Sequence, residues 1–74
     1  MIVGYRFDRG GHSFEIRLQP SGRWLAIVDH DGLGSYHRAE AALDDLLGGH
    51  AGGDIDSSEF DLPETLREWQ VIIR

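Results

Sequence analysis

Apolar and polar positions alternate through residues 2–8 (IVGYRFD), with Val3, Tyr5 and Phe7 on one side and Gly4 and Arg6 on the other. A period of two is the pattern of a half-buried strand. The alternation returns at residues 13–18, where Phe14, Ile16 and Leu18 are apolar and Glu15 and Arg17 are not. Between the two runs, Arg9-Gly10-Gly11-His12 supplies a turn, because paired glycines reach the positive φ that tight hairpins use. Gln19-Pro20-Ser21-Gly22 is a second turn, with Pro at its second position and Gly at its fourth. Residues 23–29 (RWLAIVD) are apolar on both faces, as in a central strand. Four-residue loops at 9–12 and 19–22 then set the register. They pair Phe7 with Phe14, Tyr5 with Ile16, Val3 with Leu18, Ile16 with Leu25 and Phe14 with Ile27. The expected core face is Val3, Tyr5, Phe7, Phe14, Ile16, Leu18, Leu25 and Ile27, and a slip of one residue would turn a strand over. The opposite face carries Arg6, Glu15, Arg17, Trp24, Ala26 and Val28, with Arg17 across from Trp24 as a cation–π pair.

Residues 29–34 (DHDGLG) are turn chemistry, and Ser35-Tyr36-His37 either adds a short strand or leads into a helix. From Arg38 to Leu47 the period changes. Ala39, Ala42, Leu43, Leu46 and Leu47 recur at helical spacing, with Glu40, Asp44 and Asp45 on the other side. Gly48-Gly49 ends this helix as C-terminal glycines do. Residues 50–60 are rich in Gly, Ser and acids and read as a loop, with a short extended piece at 54–60. Asp61-Leu62-Pro63-Glu64 resembles a helix start, with Asp61 as N-cap and Pro63 in the first turn. Leu62, Leu66 and Trp69 would share one face of that short helix. Val71-Ile72-Ile73 is β-branched and suits a final strand. The expected architecture is α+β: a three-stranded antiparallel meander with a helix packed on one face, then a short helix and a C-terminal strand, all in one domain over residues 1–74.

Composition fits a small folded domain. Hydrophobic residues make up 41% of the chain, and two Trp, two Tyr and three Phe are enough to build a core. A chain of 74 residues buries only about 60% of its unfolded surface, so the stability margin is thin. There is no cysteine, hence no disulfide and no thiolate metal site. No run approaches the roughly 20 apolar residues of a membrane span, and no signal-peptide h-region opens the chain. The expected compartment is the cytoplasm. All seven cations are arginine.

Charge changes the picture more than composition does. Residues 39–66 hold eight carboxylates (Glu40, Asp44, Asp45, Asp54, Asp56, Glu59, Asp61, Glu64) and no cation. Residues 1–38 sum to +1 and residues 67–74 to +1, so this stretch of −8 accounts for the net −6. A solvated helix face, a polar loop and a helix cap would explain several of these acids. An exposed helix face usually alternates sign, however, and here no Lys or Arg stands four residues from an acid. The alternative is a surface for a cationic partner.

Other candidate chemistry is sparse. Asp54-x-Asp56-x-Ser58 begins like a calcium loop, but Glu59 stands where the sharp turn needs Gly and Thr65 where a bidentate Glu belongs. His12, His30, His37 and His50 form no ligand pair, and Asp29-His30-Asp31 reads as an Asp-Gly turn, not an acid–base site. No phosphate loop, nucleophile elbow or zinc motif is present. Arg6, Arg17 and Trp24 could stack on bases, but a net charge of −6 opposes phosphate binding. The sequence therefore predicts a non-enzyme without metal or cofactor.

Two resemblances extend this reading. The run WLAIVDHDGLGSYHRAEAALDDLL, a strand, an acidic glycine turn and a helix through Ala39-Glu40-Ala41-Ala42-Leu43, is similar to HicB-type antitoxins. That resemblance implies a β-β-β-α-β fold and a small interaction module with apolar contacts. As a solitary acidic domain without cysteine, the chain also resembles the small inhibitors of phages and mobile elements, anti-CRISPR proteins above all. This implies a DNA mimic that occupies the basic nucleic-acid-binding surface of a partner, such as a CRISPR effector complex. The partner-binding residues would be Glu40, Asp44, Asp45, Asp54, Asp56 and Glu59. On this expectation, changing Asp44 and Asp45 together to Arg removes binding and spares the fold. No direct nucleic-acid or membrane contact is expected. The chain is either a monomer or a homodimer paired through the edge of the Val71–Ile73 strand.

Overall fold

The computed structural model describes residues 1–74. Five strands form one antiparallel sheet: β1 (Ile2–Arg9), β2 (His12–Leu18), β3 (Trp24–Val28), β4 (Asp31–Tyr36) and β5 (Gln70–Ile73). Their spatial order is β4-β3-β2-β1-β5. A single α-helix, α1 (Ala39–Gly48), follows β4 and crosses β2, β3 and β4 on one face. The fold is α+β, and the meander expected from the alternating pattern forms its centre.

The first hairpin has the expected register, with Tyr5 opposite Ile16 and Phe7 opposite Phe14. Gly10 and Gly11, at φ 60° and 79°, form its two-residue turn. The second hairpin departs by one residue: Ile16 lies opposite Ala26 and Phe14 opposite Val28, not Leu25 and Ile27. The turn explains the shift. The Gly22 N–H donates to the Gln19 carbonyl at 2.9 Å, closing the expected Pro-containing turn. Gly22 then takes φ 88°, and the Gln19 N–H donates to the Arg23 carbonyl at 2.8 Å. A three-residue loop ending in a left-handed glycine brings Gln19 and Arg23 into register, where a four-residue loop would not.

This single step turns β3 over. Ala26 and Val28 are buried under α1, and Trp24 joins them with its ring 6.0 Å from Tyr5. Leu25 and Ile27 move to the outer face, where Leu25 leans over Gly32. Arg17 lies opposite Leu25 instead of Trp24, so the expected cation–π pair does not form. The Arg17 stem crosses Gly4, and its guanidinium bonds Glu15 at 3.1 Å. The cation–π contact that does exist is Arg9 over Phe7. In this orientation Ala26 is buried in the same apolar cluster as Ala39 and Ala42 of α1.

Residues 29–34 are not one long turn. Asp29 and His30 alone form it, at φ 50° and 73°, and β4 begins at Asp31. Leu33 is the extra residue of a β-bulge and packs inward. The α1 helix falls where the apolar spacing places it, with Ala39, Ala42, Leu43 and Leu46 buried and Gly49 as its left-handed cap.

The short helix expected from Asp61 does not form. Two 3₁₀ turns, Ser57–Phe60 and Leu66–Glu68, stand instead, and Asp61 ends the first of them at φ 51°. The extended piece expected at 54–60 is likewise replaced by the first turn. Asp61 does not act as an N-cap because tertiary contacts hold this segment: Arg9 donates to the carbonyls of Phe60 and Asp61. Leu62 and Trp69 are nevertheless buried. Phe60 packs on Phe14 at 5.3 Å and Trp69 on Phe7 at 5.8 Å, covering the part of the sheet that α1 leaves open.

Candidate functional site

The periodicity that turns Leu43 and Leu46 inward also turns Glu40 and Asp44 to solvent, one helical turn apart on α1. Asp54 and Glu59 are exposed on the segment that follows. These four carboxylates stand free. No His, Lys or Arg nitrogen lies within ion-pair distance of any of them, since the four ion pairs are Arg6–Asp8, Arg9–Asp61, His12–Asp29 and Arg17–Glu15.

The other two predicted residues are engaged within the fold. Asp45 is half-buried near the Tyr36 hydroxyl. Burial, and then the Asp45 carboxylate beside it, pushes the Tyr36 hydroxyl up to about 12. Asp56 opens the first 3₁₀ turn, where its Oδ1 accepts from the Ser58 hydroxyl at 2.5 Å and the Ser58 N–H at 3.0 Å. Those bonds hold its carboxyl below the usual range. Ser57 completes the junction: its buried hydroxyl donates to the Leu46 carbonyl at 2.6 Å and ties the turn to the end of α1.

Asp31 extends the acidic surface beyond residues 39–66. It and Asp54 line one depression of about 130 Å³ beside Leu33 and Ile55, so β4 brings an acid from the first half of the chain to the acidic loop. In sequence Asp31 reads only as a turn residue, and no local signal marks this juxtaposition.

Asp29 and His12 form a close polar pair. His12 Nδ1 donates to Asp29 Oδ2 at 2.5 Å, and the Ser13 N–H donates to Oδ1 at 2.9 Å. The His12 bond, followed by the Ser13 bond, lowers the Asp29 carboxyl. This clamp joins the first hairpin turn to the turn between β3 and β4. Arg6, Asp8 and His30 share the neighbouring polar depression, which has no apolar lining. No group of three or more His, Cys, Asp or Glu is close enough to hold a metal ion. No helix is long and apolar enough to cross a membrane.

Trp24, placed on the outer face by the sequence reading, lies on the core face against Tyr5. The outer face thus keeps Arg6 and Arg17 but has no aromatic ring on which a base could stack. Comparison with protein-family models, curated proteins and solved structures finds no match for this chain.

Proposed function

We propose that the chain is a non-enzymatic, acidic protein-binding inhibitor that occupies a basic nucleic-acid-binding surface of its partner in the cytoplasm, in the manner of anti-CRISPR DNA mimics. One observation carries the reading: of the eight carboxylates between residues 39 and 66, only Asp61 has an ion-pair partner within the chain. A fold that used these acids for its own stability would set cations beside them. Unpaired acids on a helix and the adjoining loop instead offer a fixed negative potential, which speeds encounter with an Arg/Lys-rich groove and competes with phosphates there.

Glu40, Asp44, Asp54 and Glu59 are the contact residues on this reading, with Asp31 at the margin. Asp56 supports the surface by capping the first 3₁₀ turn, and Asp45 is half-buried near the Tyr36 hydroxyl. The charge reversal that best separates binding from folding is therefore Glu40→Arg with Asp44→Arg, not one that includes Asp45.

The test is affinity capture from a bacterial lysate at low and high salt, read by mass spectrometry and repeated with the reversed variant. A nucleic-acid-handling complex should be retained by the wild-type chain at low salt, be lost at high salt, and be absent from the variant. Retention of the same complex by a folded Glu40→Arg/Asp44→Arg chain would sink the proposal. A single small protein held at both salts would favour an antitoxin-like module with apolar contacts.

A further inference from the structure

The large hydrophobic side chains left exposed are not scattered. Met1 (75% exposed), Ile2 (43%), Val71 (40%) and Ile73 (70%) are the four, and they gather at one corner of the sheet. There Ile2 pairs with Ile73, and Met1 and Arg74 exchange backbone hydrogen bonds at 2.8 and 3.0 Å. This corner is the free edge of β5, which has β1 on one side and no strand on the other. Backbone groups in an antiparallel ladder point alternately toward and away from the neighbouring strand. Arg74 turns its N–H and C=O to Met1, so Ile72 and Gln70 face β1 too, and Val71 and Ile73 direct theirs outward. Residues 70–73 contain neither a charge nor a proline to block pairing.

We infer that this edge binds a second copy of the chain, β5 against β5, antiparallel about a two-fold axis at Ile72. Register is the first argument for a second copy. With Val71 opposite Ile73 of the other copy, every outward N–H and C=O of the two residues finds a partner, in four hydrogen bonds, and Ile72 meets itself. Slipping toward the N-terminus would draw Trp69 into the ladder, but its N–H is already given to the Leu66 carbonyl at 3.1 Å. Apolar matching is the second: Val71 pairs with Tyr5 and lies on the helix side of the sheet, and by alternation Ile73 does too. The exposed Val71 and Ile73 of one copy therefore meet Ile73 and Val71 of the other across the axis.

Charge is the third. The acidic helix packs over β2, β3 and β4, whereas residues 67–74 carry two arginines and one glutamate. Two chains of net charge −6 thus approach through a segment that itself carries a net +1. The axis runs perpendicular to the sheet, so both α1 helices end on the same side of a ten-stranded sheet and the acidic surfaces lie on one face. Three paired residues per copy, Val71, Ile72 and Ile73, fall short of the roughly 800 Å² per partner of a standard interface, so the dimer forms at high concentration.

Sedimentation equilibrium tests the proposal. The mass should rise from 8.3 kDa toward twice that value as the chain is concentrated to about 1 mM. Ile73→Lys places a charge on a side chain that is already exposed, and it should leave the circular-dichroism spectrum unchanged and hold the mass at the monomer value. The register has its own readout because the chain lacks cysteine. Ile72→Cys would face its own copy in a non-hydrogen-bonded pair, at a Cα separation a disulfide can span. It should cross-link on oxidation about tenfold faster than Glu40→Cys on α1, through the higher effective concentration. A wild-type chain that stays monomeric at about 1 mM, an Ile73→Lys chain that still dimerises, or an Ile72→Cys chain that cross-links no faster than Glu40→Cys each overturns the inference. Capture of an unrelated protein by a monomeric wild-type chain, lost in Ile73→Lys, would also overturn it and give the edge to that protein.

Discussion

On α1, Asp44 projects into solvent while the neighbouring Asp45 is half-buried near the Tyr36 hydroxyl. The difference is one of helical angle: successive residues are turned by about 100°, enough to take a side chain from solvent to the sheet edge. The pairing is measurable because Tyr36 should titrate near pH 12 and not near 10. The sign follows from linkage. The neutral phenol is favoured in the folded chain, so its contribution is present below the unfolded pKa of 10.0 and is lost as pH rises to about 12. Asp45→Asn should bring the phenolate midpoint down, as read by ultraviolet difference absorbance. The midpoint should stay above 10.0, because burial is the larger cause. An unchanged midpoint would mean that Asp45 does not face Tyr36.

At the scale of elements, the junction between α1 and the first 3₁₀ turn holds the acidic loop in place. Gly49 takes φ 73°, and a β-carbon there would run into the Asp56 carboxylate that caps the turn. Gly49→Ala is therefore expected to destabilise the chain by about 1–2 kcal/mol in urea denaturation, through backbone strain and a disturbed cap. A loss within experimental error would show that the cap is not under tertiary constraint. The helix itself was legible from the sequence because its apolar spacing is unambiguous over ten residues. The first hairpin was legible because Gly10-Gly11 leaves little choice of turn. The face of β3 was not: it depends on whether Gly22 adds a left-handed step after the turn, and that one residue decides where Trp24, Leu25 and Ile27 go. The short helix failed for a different reason. Its local cap signal at Asp61 was outweighed by contacts to Arg9, Phe14 and Phe7, which are remote in the chain. The acidic site was half legible in the same sense. Composition named its carboxylates, but which of them serve the fold depends on Tyr36, Ser58 and the other partners the fold brings to them.

For the whole molecule, the question is whether the unpaired acids help the fold or are carried at its expense. Glu40 lies in the first turn of α1, where the helix dipole favours a negative charge. Asp44 lies in the C-terminal half, where it does not, and it also sits one turn from Glu40, so the two repel. No basic residue occupies the last turn to offset it. Asp44→Arg should consequently stabilise the chain by about 0.5 kcal/mol at low salt, converting an i,i+4 repulsion into an attraction. Raising the salt should shrink that gain, because the Debye length falls from about 30 Å at 0.01 M to about 3 Å at 1 M. The same substitution should weaken partner capture if the acidic surface is the working part. Urea midpoints at two salt concentrations, set beside capture by the same variant, place both quantities on one residue. A variant that is more stable but binds less well would show Asp44 held against the interest of the fold, as expected of a surface that works on another molecule. A variant less stable than wild type would make Asp44 a structural residue and remove it from the contact set.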